Sequence, residues 1–488
     1  MKRHRRHADR LSALPDETLQ RILCYLVSDE AVRTSALSRR WRDVHAAVPV
    51  VHLVDHKKGD WYRPRYQDAP PVCFNQKVTG AFLCKAPGTP ICTLCLDVCA
   101  APSGLIDQWI VSALYFGAEE IDVKLGYSHE RRRLCPFGSS AKASADFVHY
   151  QWNDKFLKTQ HHLFGCQTLR CLRLANWTLD LPRSLDMSSL ETLCLTRIMD
   201  RYGLLPQLLS NCPCLVNLTL QECPSIREIS VESAHLRSFA MICCHHSGHV
   251  KLRSACLQSL HYKGELPSEY FFRIADYRGI EMLTIEICED LAKRKSPEVA
   301  PVTTLISRCH KLTYLHLSLR PSMAYDSRLF ADAVHRLPIR HLGLEGCLRD
   351  DHAVRSVAIL LRDTKNLKEL SLFPLDPRPQ KEELFSISDS ESDTEPEEES
   401  DYGVDYSSQV TDSLWEMYIK CLDHKLRRIN MVNYKGQQLE RILAKFLLNR
   451  CENLKEFSVN LGSSRCKDEI ARELRSWRSN RRTRVTIN

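Results

Sequence analysis

Apolar residues recur along most of the chain in a six-residue pattern. An apolar residue, two variable residues, a second apolar residue, one variable residue and a third apolar residue follow one another. The alternation in the second half predicts a strand with one buried face. Clear copies are LRCLRL from Leu169, LETLCL from Leu190, LVNLTL from Leu215, IREISV from Ile226, LRSFAM from Leu236, LQSLHY from Leu257, IEMLTI from Ile280, LTYLHL from Leu312, IRHLGL from Ile339, LKELSL from Leu367, LRRINM from Leu426 and LKEFSV from Leu454.

Weaker copies, ICTLCL from Ile91 and AEEIDV from Ala118, precede these, and most copies begin 21–32 residues apart. One unit cannot bury its own apolar face, so neighbouring units must stack and share a continuous core. Because every unit runs the same way, the strands must lie parallel. The pattern resembles the leucine-rich repeat. The resemblance implies an α/β fold, a solenoid with a curved parallel sheet and with helices or loops on its outside.

Many of the 22 cysteines follow the repeat. Four stand three residues after the last apolar position of a unit, and four stand three residues before the first: Cys223, Cys244, Cys288, Cys347, Cys166, Cys212, Cys309 and Cys451. We predict that these eight are small buried side chains and free thiols of a reducing compartment. We expect no metal site, because Cys92 and Cys95 form a lone CxxC within a predicted strand.

The stretch from Leu14 to Val44 predicts three short helices. Leu19, Ile22, Leu23 and Leu26 are spaced to share one face of the first helix. Ser38 is placed to cap the third helix, which carries Trp41 and Val44. About thirty residues are too few to bury a secure core alone, so this unit reads as an interaction module.

The same stretch resembles the F-box. LPDETLQRILCYL matches the opening motif of that family, and EAVRTSALSRRWRDV matches its second half. Plant members commonly carry a Ser-Leu-Ser-Arg-Arg-Trp signature there, and this chain has the SALSRRW segment. The resemblance implies docking on the small adaptor of an SCF-type cullin–RING ubiquitin ligase. It also implies adaptor contacts, for which the alternative role is the unit's own core: Leu14, Pro15, Ile22, Leu26, Val32, Leu37 and Trp41.

The resemblance extends beyond the F-box to nearly the whole chain. PVVHLVD and the segment Phe164 to Pro182 resemble parts of plant F-box/leucine-rich-repeat proteins, and the segment from Leu426 to Val459 resembles their C-terminal FBD segment. We therefore divide the chain into a basic tail (1–8), an F-box (9–47), a leucine-rich-repeat solenoid (48–375), an acidic disordered insert (376–410), final FBD-like repeats (411–464) and a basic C-terminal segment (465–488).

Charge is distributed unevenly. Residues 1–66 have a net charge of +6 and residues 465–488 of +5, whereas residues 381–405 carry 1 Lys and 11 Asp or Glu. Such a composition predicts a disordered insert. Five hydroxyl residues there have an acidic residue three places later and are candidate sites for an acidophilic kinase: Ser386, Ser388, Ser390, Ser392 and Thr394. A plain solubilising loop is the alternative.

The strand side chains that flank the middle and last apolar positions point away from the core. Four of them are aromatic or imidazole side chains in three consecutive units, so stacking should place them side by side: Tyr314, His316, His341 and Phe373. Aromatic side chains are common binding anchors. We predict that this cluster is the centre of substrate binding; an ordinary solvated surface is the alternative.

No familiar nucleotide-binding, hydrolase or metalloprotease motif occurs in the sequence. Together with this absence, the F-box resemblance implies a non-catalytic subunit without a cofactor, which binds a ligase adaptor and an unidentified substrate protein. Three alternatives stay open: a scaffold without a role in degradation, a sensor of a small ligand, and a nucleic-acid binder that uses the basic termini. No apolar run is long enough to span a bilayer. The expected location is the nucleus, the cytoplasm or both, because MKRHRR is either a nuclear address or a solvated tail.

Overall fold

The computed structural model describes residues 10–55 without 12, 73–99, 103–126, 135, 156–291 without 246, 298–323, 327–348, 350–375, 414–462 and 467–488. The described residues form helices and parallel strands, which confirms the predicted α/β class. The acidic insert, with its five candidate phosphorylation sites, and the basic tail 1–8 lie outside the described residues. Among the described residues, no helix combines the length and apolarity needed to cross a bilayer.

The chain divides into two compact units. The first comprises Met1–Leu134, Ser144–Cys256 and Arg273–Ala275, and the second comprises Cys135–Ala143, Leu257–Phe272 and Asp276–Asn488.

Unit 1 begins with the three predicted helices: α1 (Asp16–Leu23), α2 (Ser28–Thr34) and α3 (Arg39–Ala46). Ser38 caps α3 as predicted, because its hydroxyl accepts a hydrogen bond from the Trp41 N–H at 3.3 Å. The prediction of one apolar face on α1 was only half right. Leu19 and Leu23 are buried, but Ile22 is exposed, and the helix ends before Leu26.

The three helices are tied to the first strand of the repeats, β1 (Val50–Val54). The Lys85 ammonium donates to the carbonyl oxygens of Val48 at 2.6 Å and Val50 at 3.1 Å. Burial lowers the pKa of Lys85 to about 8. The Ser28 hydroxyl accepts from the His52 N–H at 2.9 Å, and the Lys77 ammonium lies 2.6 Å from the Asp29 carboxylate. The helical unit and the start of the repeats are therefore one packed structure.

The repeats of unit 1 form a parallel sheet in chain order. After β1, its strands are β2 (Thr93–Val98), β3 (Glu120–Leu125), β4 (Cys171–Ala175), β5 (Thr192–Thr196), β6 (Asn217–Gln221) and β8 (Ser238–Ile242). The apolar positions of each copy are buried, as the pattern predicts. Return stretches contain α4 (Phe74–Leu83), α5 (Ser103–Tyr115), a 3-10 turn (His161–Gly165) and α6 (Leu205–Ser210).

One predicted repeat copy belongs to a different sheet. IREISV forms β7 (Glu228–Glu232), which pairs not with β6 but with β9 (His249–Arg253), in a small sheet completed by β11 (Phe272–Ile274). These strands occupy return stretches, where helices or loops were expected. The early position of this copy, only 11 residues after the start of LVNLTL, is explained by its role as a return strand.

Four strands of unit 1 are followed by a tight turn, and three of these turns lead to a donor to the preceding repeat. The residues directly after β4, β5, β6 and β8 have positive φ: Asn176, Arg197, Glu222 and Cys243. The Trp177 indole N–H then donates to the Val123 carbonyl at 3.0 Å, and the Cys223 and Cys244 thiols lie 3.4 Å from the carbonyls of Leu195 and Leu220. This position therefore links neighbouring repeats.

Seven of the eight repeat cysteines are buried as predicted. Cys166 is the exception: it is half-exposed, and its sulfur lies 3.2 Å from the Thr168 hydroxyl. Burial raises the pKa of the thiols of Cys212 and Cys309 to about 12. The cysteines among the described residues are free thiols.

Unit 2 continues the same architecture. Its parallel strands are β10 (Ser259–Gly264), β12 (Met282–Ile287), β13 (Tyr314–Ser322), β14 (His341–Cys347), β15 (Glu369–Pro374), β16 (Arg428–Tyr434), β17 (Glu456–Leu461) and β18 (Arg484–Ile487). The helices are α7 (Ala300–Arg308), α8 (Ser327–Val334), α9 (Asp351–Asp363), α10 (Lys420–His424), α11 (Gln438–Arg450) and α12 (Lys467–Ser476).

Two features of unit 2 go beyond the sequence analysis. Strand β15 pairs directly with β16, with Glu369 opposite Arg428 and Leu372 opposite Met431, so the sheet is continuous across the acidic insert. The basic C-terminal segment contains α12 and β18, and β18 adds a further strand beside β17. Arg482 stands where the pattern requires its first apolar residue, so the pattern does not predict the strand RVTI.

Gly346 is required where β13 and β14 approach each other. A Cβ at this position would lie 2.5 Å from the Met323 nitrogen and 2.6 Å from the Ser322 carbonyl carbon. Both are backbone atoms, which cannot rotate out of the way as the end of a flexible side chain can. We expect Gly346→Ala to lower the free energy of unfolding by about 1–3 kcal/mol, measured by urea denaturation.

Gly80→Ala is the matched control, because Gly80 lies in α4 with nothing within 4 Å of its added Cβ. In that helix interior, alanine should stabilise by about 0.5–1 kcal/mol. A Gly346→Ala protein as stable as the parent would contradict the close approach.

Candidate binding surfaces

The core of the three-helix unit is small and lies among the helices and the start of β1. Its buried members are Leu19, Leu23, Ala31, Trp41, Val44 and Val48, with Leu14, Cys24, Leu26 and Val50 packed against them. Trp41 is 6% exposed. Its bulk fills the space between the helices, which fits the alternative role in the unit's own core, and its predicted adaptor contact stays a prediction. Leu14 and Leu26 contribute to the same core from half-buried positions.

The remaining predicted adaptor residues lie on the outside. Pro15, Ile22, Val32 and Leu37 are exposed, and Leu37 reaches 68% exposure. Leu11 at 48% and Tyr25 at 90% join them. We refer to Leu11, Pro15, Ile22, Tyr25, Val32 and Leu37 as the F-box apolar surface. Leu11 and Tyr25 were missed because neither is one of the motif positions from which the other contacts were inferred.

The Leu14–Pro15 corner is held by one arginine. The Arg40 guanidinium donates to the Leu14 carbonyl at 2.5 Å and to the Asp16 carboxylate at 2.7 Å. Arg40 belongs to the SALSRRW segment, so the two halves of the motif meet in space. This contact fixes the entry into α1 and leaves Pro15 facing outward.

The second candidate surface lies on the outward face of the unit 2 sheet. Strand register places Tyr314 opposite His341, His316 opposite Gly343, and Glu345 opposite Phe373. The rings of Tyr314 and His341 are 6.3 Å apart at 32°, and those of His316 and Phe373 are 5.4 Å apart at 72°. The structure thus brings the four predicted residues together; we call them the aromatic cluster.

Gly343 makes this cluster possible. His316 lies on β13 and Phe373 on β15, so the imidazole must cross β14 to reach the phenyl ring. At the crossing point β14 has Gly343, and a Cβ there would collide with the His316 imidazole. The sequence shows a glycine in IRHLGL, but the reason for a glycine at this position is a side chain of the neighbouring strand.

Carboxylates accompany both histidines of the cluster. Glu345 Oε2 lies 3.7 Å from His316 Nε2, and its Oε1 lies 3.9 Å from Arg320. Glu369 Oε2 lies 3.3 Å from His341 Nδ1 and 3.5 Å from Arg428. His316 is largely covered, with 13% of its side chain exposed, whereas His341 has 42% exposed. The cluster therefore offers ring faces for apolar contact, with the polar ring atoms held by carboxylates.

A third carboxylate, Glu286 on β12, is held more tightly. Glu286 Oε1 lies 2.9 Å from His261 Nε2, and its Oε2 accepts a hydrogen bond from the Lys263 ammonium at 2.6 Å. Burial by itself raises the pKa of Glu286. Hydrogen bonds from His261 and Lys263, together with the charges of both, outweigh it and lower the pKa to about 2. Glu286 therefore stays ionised at any physiological pH.

Comparisons with known proteins identify both the helical unit and part of the repeats. Residues 11–44 match the F-box domain model, and residues 144–275 match the model described as FBD-associated F-box protein At5g56370, LRR repeats. Neither description names a catalytic domain.

Relatives come from Arabidopsis thaliana. The chain is 24% identical to the FBD-associated F-box protein At5g60610 over 93% of this chain and 100% of that protein. It is 27% identical to the F-box/FBD/LRR-repeat protein At5g56420 over 48% of this chain and 49% of that protein, so the match spans about half the length of this second relative. Over 45 residues, 9% of this chain and 10% of the relative, it is 53% identical to the F-box/LRR-repeat protein At2g42720.

The helical unit, the stacked parallel strands and these matches together support the resemblance to plant F-box/leucine-rich-repeat proteins with an FBD-like C-terminal segment. The resemblance noted in the sequence is thereby confirmed.

The low pKa of Glu286 makes stability depend on pH. Its folded pKa lies below its ordinary value of 4.5, so the unfolded chain binds the proton more readily. The stabilisation is complete above about pH 4.5 and is lost as pH falls toward about 2. We expect Glu286→Gln to lower the free energy of unfolding by up to about 3 kcal/mol at pH 7 and by clearly less at pH 3.

Urea denaturation at the two pH values measures this difference. Glu281→Gln, at an exposed position just before the same strand, serves as control and should show no such pH dependence. Equal destabilisation by Glu286→Gln at both pH values would rule out the assigned ion pairs as its cause.

Proposed function

We propose that this chain is the substrate-recognition subunit of an SCF-type cullin–RING ubiquitin ligase. The F-box docks the small adaptor of the ligase, and the repeats bind the substrate protein. Chemistry belongs to other subunits of the complex. The observation that supports this most directly is the F-box apolar surface, which adds exposed apolar side chains to a module whose own core is already filled.

Burial of exposed apolar area supplies the free energy that favours docking through this surface. Exposed apolar area is favourable to bury at roughly 25 cal/mol per Å², and Ile22, Val32 and Leu37 each keep at least 40% of their area exposed. Their removal from water requires a second protein, because the helices already bury Leu19, Leu23 and Trp41 between themselves. The adaptor of the ligase is the partner that the F-box family implies.

Substrate binding is assigned to the aromatic cluster. Rings bring large contact area at low entropic cost. The carboxylates of Glu345 and Glu369 lie 3.7 and 3.3 Å from the two imidazoles before a partner arrives, which favours a preformed arrangement that needs less ordering on binding. The cluster therefore suits a partner that presents an apolar or aromatic side chain to the sheet face.

Adaptor docking can be tested with side chains that do not support the fold. Val32→Ala combined with Leu37→Ala should weaken adaptor capture at least tenfold, since contacts at an interface centre are worth about 2 kcal/mol or more each. Both residues are exposed, so the helices should remain folded. Pull-down with purified adaptor measures the effect.

The control is Val111→Ala with Leu329→Ala, an equally conservative pair at exposed positions outside the F-box. Leu14→Ala with Pro15→Ala should also weaken docking, although the Leu14 change removes core contacts as well. Undiminished capture by the Val32/Leu37 variant would exclude this surface as the docking site.

Substrate binding is tested by replacing Tyr314, His316, His341 and Phe373 with alanine. We expect adaptor capture to remain and the partners found by affinity capture with degradation blocked to be lost. Arg173→Ala, Thr219→Ala and Gln221→Ala on the unit 1 sheet face form the control variant. Recovery of the same partners by the cluster variant would place the binding site elsewhere.

A degradative role is separable from a scaffold role. A substrate should accumulate with a longer half-life when this chain is removed, whereas a scaffold partner keeps its half-life. The measurement is a chase of the captured partner after protein synthesis is stopped.

A further inference from the structure

One row of side chains follows the edge of the sheets and is distinct from the aromatic cluster and from the F-box apolar surface. It consists of the residue that directly precedes each strand, the second position of the six-residue pattern. Backbone bonds connect these residues from strand to strand. In unit 2 the Lys368 N–H donates to the Arg340 carbonyl, the Arg427 N–H to that of Lys368 and the Lys455 N–H to that of Arg427, each at 2.8 Å.

In unit 1 this row is electrically balanced. Arg170 lies between Glu119 and Glu191, each on a neighbouring strand. The Arg170 guanidinium is 3.8 Å from the Glu119 carboxylate and 3.1 Å from the Glu191 carboxylate. Side chains at this position are therefore within ion-pair reach of the next strand, and opposite charges alternate.

In unit 2 the same position carries four basic residues in succession: Arg340, Lys368, Arg427 and Lys455. We call these four residues the basic ladder. Arg340, Lys368 and Lys455 are exposed and form no ion pair with any residue that the structure describes. The Arg427 guanidinium donates to the Asn453 carbonyl at 3.1 Å, and no carboxylate of the described residues balances it.

Like charges at neighbouring positions of adjacent strands repel one another. Adjacent strands lie about 4.8 Å apart, so the ladder places four basic residues on backbone positions at this spacing. The fold does not require this arrangement, because unit 1 places acidic residues at the equivalent positions. An anionic partner would remove the repulsion and gain charge-assisted hydrogen bonds from the guanidinium and ammonium groups.

We propose that the basic ladder is a docking site for an extended acidic segment of a partner protein, rich in Asp, Glu or phosphoserine. The three steps from Arg340 to Lys455 span about 14 Å, which an extended peptide covers in four to five residues at about 3.3 Å each. Carboxylates border the ladder: Glu369 and Glu456 directly follow Lys368 and Lys455 in the chain. Arg428, which directly follows Arg427, lies 3.5 Å from the Glu369 carboxylate, so this bordering position adds no unbalanced positive charge to the line of the ladder.

A nucleic acid fits this line less well than a peptide. Its phosphate backbone needs a wider positive surface, and single strands are usually held by aromatic stacking as well. The ladder contains no aromatic residue, and its bordering carboxylates repel phosphates outside the line. The proposal does not depend on adaptor docking, and it can fail while the proposed ligase function stands.

The test uses the full chain and a fluorescein-labelled peptide of ten alternating glutamates and serines, measured by fluorescence anisotropy. We expect saturable binding that weakens when salt rises from about 50 to about 200 mM. Arg340→Glu, Lys368→Glu and Lys455→Glu together should weaken it at least about tenfold, because charge-assisted bonds become repulsions. Arg427 is left unchanged because it holds the Asn453 carbonyl.

The matched control is Arg183→Glu, Arg237→Glu and Arg273→Glu, which alters net charge equally at exposed positions outside the ladder. It should bind the peptide within about twofold of the parent, since screened charges far from the contact contribute little. Should the reversal variant unfold, as judged by circular dichroism, the three glutamine substitutions replace it and should still weaken binding.

Three outcomes would overturn the proposal. Equal loss of binding in the control variant would show that net charge alone attracts the peptide. Binding seen only after deletion of residues 382–405 would make the chain's own acidic segment the occupant. Displacement of the peptide by a thymidine oligonucleotide at equal concentration of charge would make the ladder a nucleic-acid surface.

Discussion

The structure depends on the inability of a single repeat to bury its own apolar face. Each strand contributes two or three inward apolar side chains, which are covered only when the next repeat stacks beside it. Hydrogen bonds reinforce the stacking at fixed places: the backbone ladder joins successive strands, and Trp177 donates from the turn after β4 to the carbonyl of Val123. Because these contacts join nearest neighbours, a long insertion between β15 and β16 leaves their pairing intact.

The same stacking controls what lies outside the core. Outward side chains recur at the strand spacing of about 4.8 Å, so each meets its counterpart on the next strand. On the unit 2 sheet face, this arrangement pairs Glu286, Glu345 and Glu369 with histidines and basic residues. Along the edge of the same unit it places basic residues beside one another. The sheet face and the edge of unit 2 therefore differ in whether adjacent strands carry opposite or like charges at neighbouring positions.

The F-box is packed differently from the repeats, because its core is formed by three helices and not by stacked strands. Its helices bury a few large side chains around Trp41, and tight contacts through Lys85 and Ser28 attach it to β1. The apolar residues that remain outside are too exposed to support the fold, which favours an intermolecular role for them. Function on this fold therefore resides in particular surfaces, since the repeat architecture by itself serves many partners.

Much of this protein could be predicted from its sequence. Period-two and period-three spacings of leucine are local properties, so they indicated the parallel strands, seven of the eight buried repeat cysteines and the helices of the F-box. The juxtaposition of Tyr314, His316, His341 and Phe373 also followed, because stacked units repeat at a constant spacing. The motif further indicated the docking role of Ile22, Val32 and Leu37, which remains a prediction.

Other features required the tertiary structure, because they depend on what a neighbouring element presents. IREISV has the same local pattern as the sheet strands, and only its partner β9 makes it a return strand. The sequence does not determine whether Trp41 faces the core or the outside of the three helices, and only their packing shows that it is buried. Gly343 is required only because the His316 imidazole of the adjacent strand crosses it. The ion pairs of Arg170 with Glu119 and Glu191 can be recognised only when the strand register is known. Sequence spacing determines which face a residue occupies, whereas its partners across the sheet are set by the stacking of units far apart in the chain.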